Sequence, residues 1–188
     1  MSVYAYIDGA NLHKGIQAFG WKLDYARFRV WLKEKYGVTK AYIFIGLLPD
    51  KVRLYEKLQD QGFELIFKQI AYDGAGNVKG NCDADLVLKV VSDYYEKHCK
   101  QFVLITGDGD FACLASFLID KNKLRVVLAP EHKKCSILLK KTGGKITYLE
   151  EFKGRLSRKS KTTKTKTNAK TRTRTKKVKK RLPKPQER

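Results

Sequence analysis

Five aspartates, Asp8, Asp83, Asp85, Asp108 and Asp110, are the side chains of this sequence best suited to chemistry. Each stands at a predicted element boundary. Asp8 directly follows the apolar run Val3–Ile7, and Asp108 and Asp110 follow the run Phe102–Ile105. Asp83 and Asp85 open the helical pattern just before that second run. Carboxylates gathered in one crevice repel one another and take up protons unless a cation compensates them. A hard divalent ion such as Mg²⁺ or Mn²⁺ takes oxygen ligands by preference. Bound there, it polarises a phosphoryl oxygen and activates water, which is the chemistry of phosphodiester hydrolysis. Each residue also has a purely structural use. Asp83 suits a helix cap, Asp108 and Asp110 a turn with a cap, and Asp8 the turn at Gly9. Asp85 suits the first turn of a helix dipole, and Asn11 the cap of the helix it opens. Their predicted concentration at one end of one sheet favours the chemical role.

The elements that must position these acids alternate. Apolar runs at Val3–Ile7, Ala41–Ile45, Phe63–Phe67, Phe102–Ile105 and Leu124–Leu128 read as buried strands, with Ile146–Tyr148 as a last edge strand. Between them, Tyr25/Phe28/Trp31/Leu32, Val52/Tyr55/Leu58, Leu86/Val87/Val90/Tyr94 and Phe111/Leu114/Ala115/Leu118 recur at helical spacing, and Ser136 starts a short helix. Asp73–Asn77 reads as a hairpin or a loop. Strands separated by helices predict a parallel sheet covered on both faces, a three-layer α/β/α domain. In such sheets ligands bind outside the carboxyl ends of the strands, where chain order reverses. The acids converge there if the first and fourth strands are neighbours.

Charge divides the chain. Of 188 residues, 40 are Lys or Arg and 19 Asp or Glu, and the segment 153–188 alone holds 17 of the bases and a single acid. That segment alternates Lys or Arg with Thr and has too little apolar surface to fold, so it reads as a disordered appendage to a domain spanning 1–152. Its density of charge suits non-specific binding of phosphate backbones through counterion release; a plain solubility tail is the alternative. Four scattered cysteines without a C-x-x-C pair predict buried thiols and a reducing, cytoplasmic setting. No apolar run is long enough to span a membrane, and the start of the chain lacks a secretory pattern. Nucleotide-cofactor fingerprints and G-x-S-x-G are both absent. Trp21, Tyr25 and Trp31 suit base stacking, though aromatics at helical spacing usually pack cores. Lys14, Lys22 and Lys79 fall on loops predicted near the crevice, where they could steer phosphates.

Three motifs, Ile7-Asp-Gly-Ala-Asn-Leu12, Lys79-Gly-Asn-Cys-Asp-Ala-Asp-Leu86 and Thr106-Gly-Asp-Gly-Asp-Phe111, occur in order and at fitting intervals. Together they resemble the NYN domain, in the LabA-like branch of the PIN-like nuclease superfamily, over roughly residues 3–150. The resemblance implies a PIN-like, Rossmann-like fold and a ribonuclease using Mg²⁺ or Mn²⁺. It assigns Asp8, Asp83, Asp108 and Asp110 as catalytic acids and metal ligands, with Asp85 as a further ligand. Asn11 then suits a contact to substrate, and Lys14, Lys79 and Thr106 complete the expected substrate contacts. RNA is the expected partner, DNA is open, and a homodimer is a family habit. Two rivals share these residues: a non-catalytic RNA-binding adaptor that keeps the acidic pocket, and a phosphatase acting on small phosphates.

Overall fold

The computed structural model describes residues 2–68 and 82–158, with the backbone of 71–72 and 78–79. Six parallel strands form the main sheet: β1 (Val3–Asp8), β2 (Val38–Gly46), β3 (Glu64–Lys68), β6 (Gln101–Ile105), β7 (Leu124–Ala129) and β8 (Ile146–Tyr148). A separate antiparallel pair, β4 (Ala71–Tyr72) with β5 (Val78–Lys79), flanks the predicted hairpin. The tip of that hairpin, 73–77, and the segment 159–188 lie outside the described residues. The helices are α1 (Gly9–Ala18), α2 (Tyr25–Tyr36), α3 (Val52–Asp60), α4 (Asp83–Tyr95), α5 (Ala112–Asp120), α6 (Ile137–Lys141) and α7 (Lys153–Leu156).

The main sheet has the order β3-β2-β1-β6-β7-β8. From β1 the chain builds outward through β2 to β3, then returns through α4 to the other side of β1. Chain order therefore reverses between β1 and β6, and the crevice of a doubly wound sheet opens at their carboxyl ends. Alternation along β1 shows why its run is apolar throughout. Val3, Ala5 and Ile7 pack with Leu12 and Ile16 of α1 and with Phe28, Trp31 and Leu32 of α2. Tyr6 faces the other way, among Leu86 and Val90 of α4 and Leu114 and Leu118 of α5. Buried on both faces, such a strand has no polar side to offer water.

The domain extends beyond the boundary expected at Phe152. Residues 153–156 form α7, Leu156 is 1 % exposed, and its carbonyl accepts the Asp24 amide at 2.8 Å. Ser157 bridges to Leu23, and the Arg158 amide donates to the Lys22 carbonyl at 3.0 Å. One leucine among lysines and arginines is a weak signal, and the anchoring depends on partners far away in sequence.

The aromatic candidates for base stacking are spent on the core. Trp21 and Trp31 are 6 % and 3 % exposed, and Tyr25 meets Phe63 edge to face at 6.0 Å. All four cysteines are free; Cys99 and Cys135 are buried, Cys82 half-buried and Cys113 exposed. Among the described residues, no helix is long and apolar enough to cross a membrane.

Candidate metal centre

Strand register brings together the acids that follow the first and fourth predicted strands, β1 and β6. Ile7 of β1 is level with Ile105 of β6, so the residues that follow, Asp8 and Thr106, emerge side by side. The Thr106 hydroxyl donates to Asp8 Oδ2 at 3.4 Å and accepts the Asp108 amide at 3.1 Å. One buried hydroxyl thus ties the two acid-bearing loops to each other. Thr106 is 2 % exposed, so its expected contact with substrate gives way to a positioning task inside the protein.

Capping fixes the carboxylates further. Asp8 is the N-cap of α1, its Oδ1 accepting the Asn11 amide at 3.0 Å. Asp108 caps the short 3-10 turn 109–111, its Oδ1 accepting the Asp110 amide at 3.1 Å. Structural and chemical uses therefore coincide, because a cap holds a carboxylate still at a helix start where helix dipoles favour negative charge. Asp83 is not a cap; that position belongs to Cys82, which makes no side-chain cap bond.

Asp83, Asp108 and Asp110 form one group, each offering a carboxylate oxygen, all within 4.8 Å of one another. Asp83 and Asp108 are half-buried and Asp110 is exposed. Asp8 stands beside this group. Burial holds its carboxyl above the ordinary range, and the charges of Asp83 and Asp108 add to that, while the Asn11 amide and Thr106 hydroxyl oppose it. Ligands about 2.1 Å from a single Mg²⁺ stand about 3 Å apart when adjacent and about 4.2 Å apart when opposite, so three oxygens within 4.8 Å of one another need only a small closing movement to share an ion. An all-oxygen donor set of this charge fits a hard divalent cation.

Asp85 is not in that group. Two residues along a helix point to different sides, and its carboxylate pairs with Lys68 Nζ, 3.3 Å away at the end of β3. Asn11 does not cap α1; its Oδ1 accepts the Gly107 amide at 2.8 Å and so steadies the loop that carries Asp108. Lys14, expected on a loop, is exposed on α1. Lys79 lies in β5, and its side chain is outside the described residues.

Two close approaches seat these loops. A Cβ on Gly9 would stand 2.8 Å from the Phe44 carbonyl oxygen, so only glycine lets α1 start so near β2. One on Gly109 would fall 2.4 Å from Ser136 Oγ. Ser136, expected only as a helix start, does cap α6 through the Leu138 amide, and its own amide donates to the Gly107 carbonyl at 2.9 Å. The acid loop is therefore clamped by Asn11 from one side and Ser136 from the other. A further acid at this edge is Glu131, two residues past β7, 6 % exposed and 3.6 Å from Lys134 Nζ. Only its place after a strand end could have marked it.

A family model described as the NYN domain matches residues 2–150. No curated protein matches the sequence. Among solved structures, the chain is similar to a protein of unknown function from Vibrio parahaemolyticus. The two are 20 % identical with a TM-score of 0.63, covering 79 % of this chain and 92 % of that one. At that identity the likeness concerns the fold alone.

Proposed function

Because the chain belongs to the NYN domain family, within the PIN-like nuclease superfamily, we propose that it is a divalent-metal-dependent endoribonuclease. NYN domains are in general nucleases, hence hydrolases, and typically use divalent metals. The observation that carries the proposal is the convergence of Asp83, Asp108 and Asp110 within 4.8 Å at the switch point of the sheet, with Asp8 alongside.

In this scheme Asp83, Asp108 and Asp110 hold the ion, which when bound supplies charge stabilisation to a phosphoryl oxygen and activates water. Asp8 Oδ2, pinned by Thr106 beside the three acids, is placed to take a proton from the attacking water. Thr106 and Asn11 do not touch substrate; they keep Asp8 and the Gly107–Asp110 loop in register. Substrate is RNA, drawn in by the positive charge of 159–188 without selection of sequence. Lys14 and Lys79 are the proposed contacts to the RNA backbone.

The test is incubation of the full-length protein with labelled single-stranded and structured RNAs, and single-stranded DNA, in Mn²⁺, Mg²⁺ or EDTA. Cleavage within RNA chains in either metal, abolished by EDTA, is the expected result. Salt-sensitive binding with no cleavage of any substrate would replace the proposal with a binding module.

A further inference from the structure

At the amino edge of the sheet, opposite the acids, five residues line a cavity of about 370 Å³. Lys35 and Tyr36 come from the end of α2, Arg125 from the start of β7, Lys145 from just before β8 and Thr147 from within it. Its charge is one-sided. Among the described residues, none of the three cations forms an ion pair, although surface neighbours such as Lys40 and Arg155 do.

Lys35 is held by rings instead of an acid. Its Nζ lies 3.7 Å from the centre of the Phe152 ring and 5.1 Å from that of Trp31. Desolvation holds this ammonium below the ordinary lysine range; Glu151 opposes that, and the charges of Lys145 and Arg155 add to it. Arg125 gives one of its five donors to Gln101 Oε1 at 3.3 Å. Tyr36 is 6 % exposed; burial raises its hydroxyl above the ordinary range, and a side-chain hydrogen bond with Thr147 opposes that rise.

The cavity therefore calls for an anion with several acceptor oxygens. A carboxylate would be satisfied by the guanidinium fork alone, leaving two ammonium groups uncompensated. A tetrahedral phosphate engages a fork, two ammonium groups and one hydroxyl donor of the Tyr36–Thr147 pair together. We infer that Lys35, Tyr36, Arg125, Lys145 and Thr147 form a phosphate-binding site, distinct from the acidic crevice and on the opposite edge of the sheet. The site stands apart from the nuclease proposal, since it needs no cleavage to exist.

The test follows backbone amide signals of isotopically labelled full-length protein by NMR, at constant ionic strength. Inorganic phosphate is the probe in one arm and a single-stranded RNA oligonucleotide in the other. Saturable shifts at Tyr36, Arg125 and Thr147 are expected with phosphate, at least tenfold weaker in Arg125→Gln/Lys145→Gln. The control Lys161→Gln/Lys164→Gln, which removes the same charge from the basic segment, is expected to bind as the parent does. Because Arg125 and Lys145 are exposed, their replacement should leave the rest of the spectrum in place. An oligonucleotide that moves the same signals and is displaced by phosphate identifies a backbone phosphate as the occupant; one that leaves them unmoved identifies free phosphate. Absence of saturable shifts at these residues, or equal weakening in both variants, overturns the inference.

Discussion

Thr106 donates its hydroxyl to the Asp8 carboxylate across 3.4 Å, joining the end of β1 to the loop after β6. The same oxygen accepts the Asp108 amide, so a single side chain sets the spacing of two acids contributed by distant parts of the chain. That small junction is the point where fold and proposed chemistry meet.

Removing it should damage catalysis more than folding. Thr106→Val keeps the shape but leaves the Asp108 amide without its acceptor, a loss of about 1–3 kcal/mol. Cleavage should fall about 10–100-fold, the usual effect of losing a group that orients a metal ligand, while RNA binding stays as it was. Thr106→Ser should restore most of the rate. Urea unfolding, binding and cleavage measured on both variants check this; a valine variant with full activity would deny Thr106 its role.

A cation that binds only the folded acids should stabilise the protein. At a hundred times its dissociation constant, Mn²⁺ should raise unfolding free energy by about 2.7 kcal/mol. The gain should vanish in Asp83→Asn, which lacks one of the three carboxylates. Thermal melts across a Mn²⁺ series read both. Equal stabilisation of parent and variant would place the ion elsewhere.

At the other end of α4, Asp93 is fully buried and receives Tyr6 Oη at 2.7 Å, Lys89 Nζ at 2.7 Å and His98 Nδ1 at 2.8 Å. Burial alone would raise its carboxyl, but hydrogen bonds from Lys89, His98 and Tyr6 outweigh it and hold the group below its ordinary 3.8. A depressed folded value contributes stability that is complete above the unfolded value and lost as pH falls through the folded one. Asp93→Asn should therefore cost about 3 kcal/mol at neutral pH, with the deficit shrinking below about pH 4. Urea unfolding over a pH series tests it; a deficit independent of pH would contradict the sign.

Ending the chain at Arg158 keeps every described contact, α7 included, and removes 14 Lys and Arg with one acid. The shortened protein should melt near the parent and still cleave. Its RNA affinity should drop, and the slope of log affinity against log salt should flatten by about 0.7 per lost phosphate contact. An unchanged salt slope would show that the basic segment does not touch RNA.

Much of this was legible beforehand because the physics involved is local. Runs such as Ala41–Ile45 and Leu124–Leu128 cannot be solvated, and helical stripes such as Leu86, Val90 and Tyr94 must face a core, so a parallel three-layer arrangement followed. Asp8, Asp83, Asp108 and Asp110 were visible because they sit where strands end or helices begin. What escaped notice depends on contacts made only after folding. Thr106 and Asn11 were expected as substrate contacts, and nothing in the sequence announced their hydrogen bonds to Asp8 and Gly107. Asp85 was expected as a further metal ligand, but helix geometry turns it towards Lys68. Leu156 was one apolar residue in a basic run, and its burial depends on Leu23 and the α2 face.

The most direct test is cleavage of a labelled single-stranded RNA in Mn²⁺ by the full-length protein and by Asp108→Asn, with RNA binding measured in parallel. Cleavage by the parent, at least about a hundredfold lower in the variant at unchanged affinity, is the predicted result. A variant that cuts as fast as the parent, or a parent that binds RNA yet never cuts it, would contradict the claim that these carboxylates act as a metal-dependent nuclease centre.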